Sequence, residues 1–211
     1  MRDGRGYDTE PDPDPVRFSD ELETWLKSPG PKTIGGLGEQ FAEKGFAVIL
    51  LLLMILPATP LPTGGITHAL EIIAMVVALQ MVLGRRDLWL PKRWRARELG
   101  TTFTGKAAPF IVRRIRTFER ISRVRGKRIM ESDLVLRLCG LAIGGLAVAA
   151  FLAPPFSGLD TLPSLGAVVI ALAIILDDLA LAGVGFGIGV GGIALIMTIG
   201  AALVRFITGL F

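Results

Sequence analysis

What is scarce in this chain narrows its chemistry first. A single cysteine, Cys139, among 211 residues excludes an internal disulfide framework and cannot by itself make a structural zinc site. It lies within a hydrophobic stretch, where its thiol reads as a packing group. There is no Ser/His/Asp set, no metal-ligand cluster and no Walker loop, so no catalytic residue, metal or cofactor is expected and a conventional enzyme is unsupported. Gly187-Ile188-Gly189-Val190-Gly191-Gly192 has dinucleotide-motif spacing but sits in an apolar segment without βαβ context. No secretory leader is expected either. The first apolar run begins only at Phe46, after a long polar arm, so targeting falls to the hydrophobic segments themselves.

What is abundant is apolar surface. Hydrophobic residues make up 51% of the chain, with a mean hydropathy of +0.57, too apolar for an ordinary soluble domain of this length. They are clustered, and charge is nearly absent from the clusters. Between Gly84 and Arg128 stand fifteen of the 23 Lys and Arg residues, flanked on both sides by long apolar stretches. Positive charge beside membrane segments resists translocation, so this block is expected on the cytosolic side. That position explains the block without nucleic acid, which is not expected as a partner.

The expected fold is all-α: a polytopic integral membrane protein with two repeated Pro/Gly-broken helical hairpins and a final Gly-rich helix. Residues 1–17 read as a disordered, acidic arm. Residues 18–45 read as short cytoplasmic amphipathic helices, the first carrying Phe18, Leu22, Trp25 and Leu26 at helical spacing before the Pro29-Gly30-Pro31 break. Residues 46–84 form the first hairpin. Its opening run, Phe46 to Leu56, is much shorter than the roughly twenty residues a full span needs. Residues 85–133 are the basic linker, in which Phe103 to Val124 is a basic amphipathic helix suited to lie on anionic lipid head groups, with docking on a partner helix as the alternative. Residues 134–211 hold the second hairpin and a last span, Leu179 to Val204.

The two hydrophobic halves resemble each other. Setting Pro62 against Pro155 also matches Gly65 with Gly158, Ala74 with Ala167, Val76 with Val169, Ala78 with Ala171, Leu79 with Leu172 and Leu83 with Leu176. The order of features is shared as well: apolar run, Pro-rich break, apolar helix, charge cluster. Transporter folds are often built from such repeats, with interrupted helices meeting at a central site. The helix restarts, Thr63-Gly64-Gly65-Ile66-Thr67 and the stretch after Ser157 and Asp160 that runs from Thr161 to Ser164, expose unpaired N–H groups that can receive an anion. Ordinary hairpin turns are the alternative.

An ionisable group at the centre of a membrane helix costs about 2.5–3.5 kcal/mol, so each needs a reason. His68 and Glu71 are three residues apart on one helix face and can exchange a proton or orient a substrate; a wetted, idle pair at the far interface is the competing account. Gln80, Arg85 and Arg86 lie toward the cytosolic end, where guanidinium forks suit phosphate or pyrophosphate; topology-setting charges that bind lipid head groups loosely are the alternative. Asp177 and Asp178 are placed to hold a cation or to neutralise Arg85 and Arg86, unless they simply end a solvated helix. Gly183, Gly187 and Gly191, at four-residue spacing, read as a close helix-packing face, as do Gly140 and Gly144. A Gly face of this kind also provides a route to homo-oligomers.

Leu61-Pro62-Thr63-Gly64-Gly65, the Gln80 to Arg86 stretch with its Gly84-Arg85-Arg86 ending, Leu88-Trp89-Leu90-Pro91, and Ala153-Pro154-Pro155-Phe156-Ser157 together resemble the ExoD family of bacterial exopolysaccharide synthesis proteins. The resemblance runs from about Ser19 to the C-terminus. It implies a multi-pass protein of the bacterial inner membrane that takes part in exopolysaccharide synthesis or export. One reading is that it handles an anionic substrate such as a phosphorylated lipid carrier; the other is a non-catalytic scaffold recruiting polysaccharide synthesis proteins.

Overall fold

The computed structural model describes residues 17–41, 44–59, 66–85, 88–89, 91–96, 98, 105, 108–121, 127–130, 132–154 and 157–208. The acidic arm, Thr63, Gly64, Gly65 and Arg86 lie outside these residues. Ten helices follow one another among the described residues: α1 (Phe18–Lys27), α2 (Ile34–Gln40), α3 (Gly45–Ile55), α4 (Ile66–Val82), α5 (Lys92–Arg95), α6 (Ala108–Ile121), α7 (Lys127–Met130), α8 (Asp133–Leu152), α9 (Thr161–Leu176) and α10 (Leu179–Thr208). No strand occurs among them, only an isolated bridge between Thr33 and Glu98. The expected all-α class is what the chain adopts.

Helices α3, α4, α8 and α9 make the centre. α4 packs on α8 and α3 on α9, each hairpin also pairs its own two helices, and α10 lies along α9. Small residues allow the close approaches. A Cβ on Gly140 would meet Met81 and the Ala78 carbonyl, and one on Gly144 would touch Ala78, so these two glycines form the packing face expected of them. Pro163 stands in the first turn of α9, where a missing N–H breaks no intrahelical bond.

α4 and α9 end alike. At α4, Arg85 N–H donates to the Gln80 carbonyl (3.1 Å) and Gly84 N–H to the Met81 carbonyl (3.0 Å); at α9, Asp178 N–H donates to the Ala173 carbonyl (3.0 Å) and Asp177 N–H to the Ile174 carbonyl (3.5 Å). Both caps are left-handed, at φ 71° for Gly84 and φ 52° for Asp177, which is the Schellman arrangement that satisfies the last carbonyls. A cation from the opposite hairpin sits on each cap. Lys44 Nζ, at the start of α3, donates to the Ile175 carbonyl (2.6 Å) and to Asp177 Oδ2 (2.7 Å). The Arg137 guanidinium, in the first turns of α8, lies against Gly84.

Around α3, the amphipathic helices close in. Ile111, Val112 and Ile115 of α6 are buried. Phe18, Leu22, Leu26, Val48, Leu52 and Ile111 line one apolar crevice, so α1 and α3 lie against the apolar face of α6. Polar bonds lock the pair: Ser19 N–H and Oγ donate to the Glu119 carboxylate (2.9 and 2.5 Å), and Arg116 Nη2 donates to Asp20 Oδ1 and Glu23 Oε2 at 2.8 Å each. α1 is thus a partner helix within the same chain for the apolar side of α6. Arg113, Arg114 and Arg120 remain exposed on the other side.

The outer faces of the central helices are apolar. Ile72, Val76, Leu79 and Leu83 on α4, Leu138 and Leu141 on α8, and Val184 and Phe186 on α10 are all exposed, while Thr67, Glu71, Gln80 and Ser164 are buried. Among the described residues two helices, α8 and the Leu179–Ala202 part of α10, are long and apolar enough to cross a membrane.

Candidate functional site

The broken ends of both hairpins meet at one end of the bundle. Glu71 projects inward from the second turn of α4 and is 0% exposed, and His68 lies one turn before it, its Nδ1 3.6 Å from Glu71 Oε2. The imidazole rests on Phe151, near the end of α8, with ring centroids 5.3 Å apart. Thr67 Oγ1 lies 3.5 Å from His68 Nδ1. From the facing element, Asp160 precedes α9 closely enough for its charge to act on Glu71.

Buried polar groups ordinarily have hydrogen-bond partners, because leaving one unpaired costs about 1–3 kcal/mol. Here four buried side-chain oxygens have none among the described residues: Glu71 Oε1 and Oε2, Thr161 Oγ1 and Ser164 Oγ. Thr161 and Ser164 are one turn apart on α9, as His68 and Glu71 are on α4, and the 93-residue offset that aligns the halves pairs Thr161 with His68 and Ser164 with Glu71. Sequence reasoning placed Thr161 to Ser164 at a helix restart for the sake of its backbone N–H groups and passed over the two hydroxyls. The offset was the signal that could have singled them out.

The remaining expected site residues are elsewhere. Ser157 is an exposed turn residue whose Oγ donates to the Pro154 carbonyl (2.6 Å) and accepts from Leu159 N–H (3.2 Å). Gln80 is buried nine residues along α4 from Glu71, and its Oε1 accepts from Trp89 N–H (2.8 Å), tying the start of the linker to the bundle. Arg85 is exposed at that same end. His68, Glu71 and Asp160 are thus gathered at one end of the bundle, and Gln80 and Arg85 stand at the other.

Asp177 and Asp178 have local duties. Asp177 is the left-handed cap held by Lys44, and Asp178 Oδ1 accepts from Ala180 and Leu181 N–H (3.0 and 3.3 Å), capping α10. No group of three or more His, Cys, Asp or Glu placed to hold a metal occurs among the described residues.

The glycine face of α10 differs from the expected one. Gly183, Gly187 and Gly191 face open space; the close approaches are made by Gly185 and Gly189, against Gly166, Ile170 and Leu146, and by Gly192, against Leu162 and Pro163. Both rows carry four-residue spacing, so spacing alone could not give the phase.

A family model described as "Exopolysaccharide synthesis, ExoD" matches residues 18–198. The uncharacterized protein slr1875 of Synechocystis sp. is 26% identical over 173 residues, covering 81% of each chain. No solved structure matches.

Proposed function

Because the chain belongs to the ExoD exopolysaccharide synthesis family, we propose that it serves exopolysaccharide synthesis or export from within the bacterial inner membrane, as a multi-pass protein built from two duplicated, re-entrant hairpins. The observation that carries the membrane placement is the inverted distribution of polarity: large apolar side chains face outward on α4, α8 and α10, and the carboxylate of Glu71 faces inward. In water such a surface would associate; in lipid it is the expected exterior.

Duplication is supported by the caps. The hydrogen-bond pattern ending α4 recurs 93 residues later at the end of α9, and Lys44 and Arg137, which sit on the opposite hairpin's cap, are separated by the same 93 residues. A two-fold relation between hairpins requires this reciprocity.

Re-entry is supported by length. Gly192 abuts the start of α9, roughly 20 Å along α10 from Leu179 at 1.5 Å per residue. The hydrocarbon core is about 30 Å thick, and α10 continues to Thr208. With the charged linker cytosolic, the hairpin breaks end inside the bilayer while α10 crosses it. An anionic lipid-linked substrate fits the cytosolic end, where Arg85 and Arg137 are exposed.

Deleting the gene in its host and measuring secreted polysaccharide tests the role. Loss restored by the wild-type gene is expected; unchanged secretion contradicts it. The scaffold reading has its own observation, the open Gly183, Gly187 and Gly191 row. Loss of a copurifying synthesis protein on Gly187→Leu, with the fold intact, would favour it.

A further inference from the structure

We propose that Glu71, together with the Ser164 and Thr161 hydroxyls at the equivalent positions of the second hairpin, forms an exchange site for one mobile cation, a proton or an alkali ion. The proposal rests on the membrane placement proposed above and adds a ligand to it. The argument begins with charge. Glu71 is fully buried, and neither of its oxygens accepts a hydrogen bond among the described residues. A permanent carboxylate in such a place needs a fixed cation or a set of donors, and among the described residues only His68 approaches it.

The charged and titratable groups on the packed elements bear this out. On α4 itself only His68 approaches, at 3.6 Å. α3 carries no titratable residue, and Lys44 at its start is engaged with Asp177. On α8, Asp133, Arg137 and Cys139 lie in the first two turns, toward the opposite end from Phe151. At α9 the group present is Asp160, a second carboxylate, whose charge opposes another negative charge nearby. The fixed charge around Glu71 therefore favours an incoming positive species.

The ligand atoms suit that species. Two carboxylate oxygens and two hydroxyl oxygens are hard donors of the kind alkali cations take, and the carboxylate alone suffices for a proton. One hairpin brings the acid with an imidazole, the other the hydroxyls, so the site is complete only where the two hairpins face each other. Relative motion of the hairpins would make or break it, which is how a bound cation could be coupled to a change of shape.

Dicyclohexylcarbodiimide, which modifies protonated carboxyl groups in apolar surroundings, tests this on the purified full-length chain in detergent or liposomes, with the modified peptide identified by mass. The expected result is modification at Glu71 that rises several-fold from alkaline to acidic buffer. If sodium, compared with choline, suppresses it and Ser164→Ala weakens the suppression, the ion is an alkali cation; if sodium has no effect, it is a proton. Modification of Glu71 that responds to neither acidity nor sodium, or none at all, overturns the proposal. A second measurement guards against poor reagent access: the unfolding temperature of wild type should shift more with acidity or sodium than that of Glu71→Gln. Equal responses in both proteins would again overturn it. Membrane fractionation decides the placement separately, so failure of the cation site and failure of the membrane reading are distinguishable.

Discussion

Lys44 and Asp177 show how much one contact at a helix end can carry. Asp177 holds a left-handed backbone that costs a non-glycine residue about 1–2 kcal/mol, and Lys44 binds both its carboxylate and the Ile175 carbonyl. A charge-assisted bond of this kind is worth about 1.5–3 kcal/mol. Lys44→Ala is therefore expected to lower unfolding stability by about that amount, and Asp177→Gly to cost less than Asp177→Ala, because glycine relieves the backbone. Denaturation in one detergent would check the order; equal losses for the two Asp177 variants would contradict it.

A second contact predicts a response to acid. Hydrogen bonds from Lys27 and Arg116 hold the Glu23 carboxyl below the usual carboxylate range. A depressed acid stabilises the fold above its unfolded-state pKa, and the contribution disappears as pH falls through the folded-state value. Protection of the α1 amides, taken relative to their intrinsic exchange rates, should accordingly fall on strong acidification, and Glu23→Gln should remove part of that response. At this level the sequence was only partly readable. The i, i+3 spacing of His68 and Glu71 placed them together, but hydroxyls are so common in first turns that Thr161 and Ser164 carried no mark of their own.

Helices were the most legible part, and their phases the least. Hydrophobic periodicity located α1, α6 and the apolar helices, because burying an apolar stripe dictates that spacing. Periodicity gives no partner, so it could not show that α1 would cover the stripe of α6. The α10 glycines make the same point more sharply. Glycine repeats every four residues on two of its faces, and the choice between them depends on where Gly166 of α9 arrives. Gly185→Val should separate α9 from α10, since its Cβ would lie 2.8 Å from the Ile170 backbone nitrogen, and overpacking of this kind costs about 1–3 kcal/mol. Gly187→Ala meets nothing within 4 Å and should be neutral or stabilising by up to about 1 kcal/mol. Thermal unfolding of the two variants decides it; the reverse order would refute the packing described.

Taken together, the chain reads as charged helices gathered at one end, apolar surfaces turned outward, and a small polar centre between two hairpins. Composition and the basic block implied the first two features. The third rests on buried oxygens at positions 93 residues apart, an equivalence seen only when the two halves are compared and recorded by no local pattern. The proposed function then depends on where this centre lies relative to a bilayer. Spin labels on a Cys139→Ala background at Ser157, Leu195 and Arg116, in liposomes, measure it directly through collision with oxygen and with a polar nickel chelate. The label at Ser157 should report a depth below the head groups, like that at Leu195, while Arg116 remains in water. A Ser157 label as accessible to nickel as the one at Arg116 would place the hairpin breaks outside the membrane and contradict an intramembrane site.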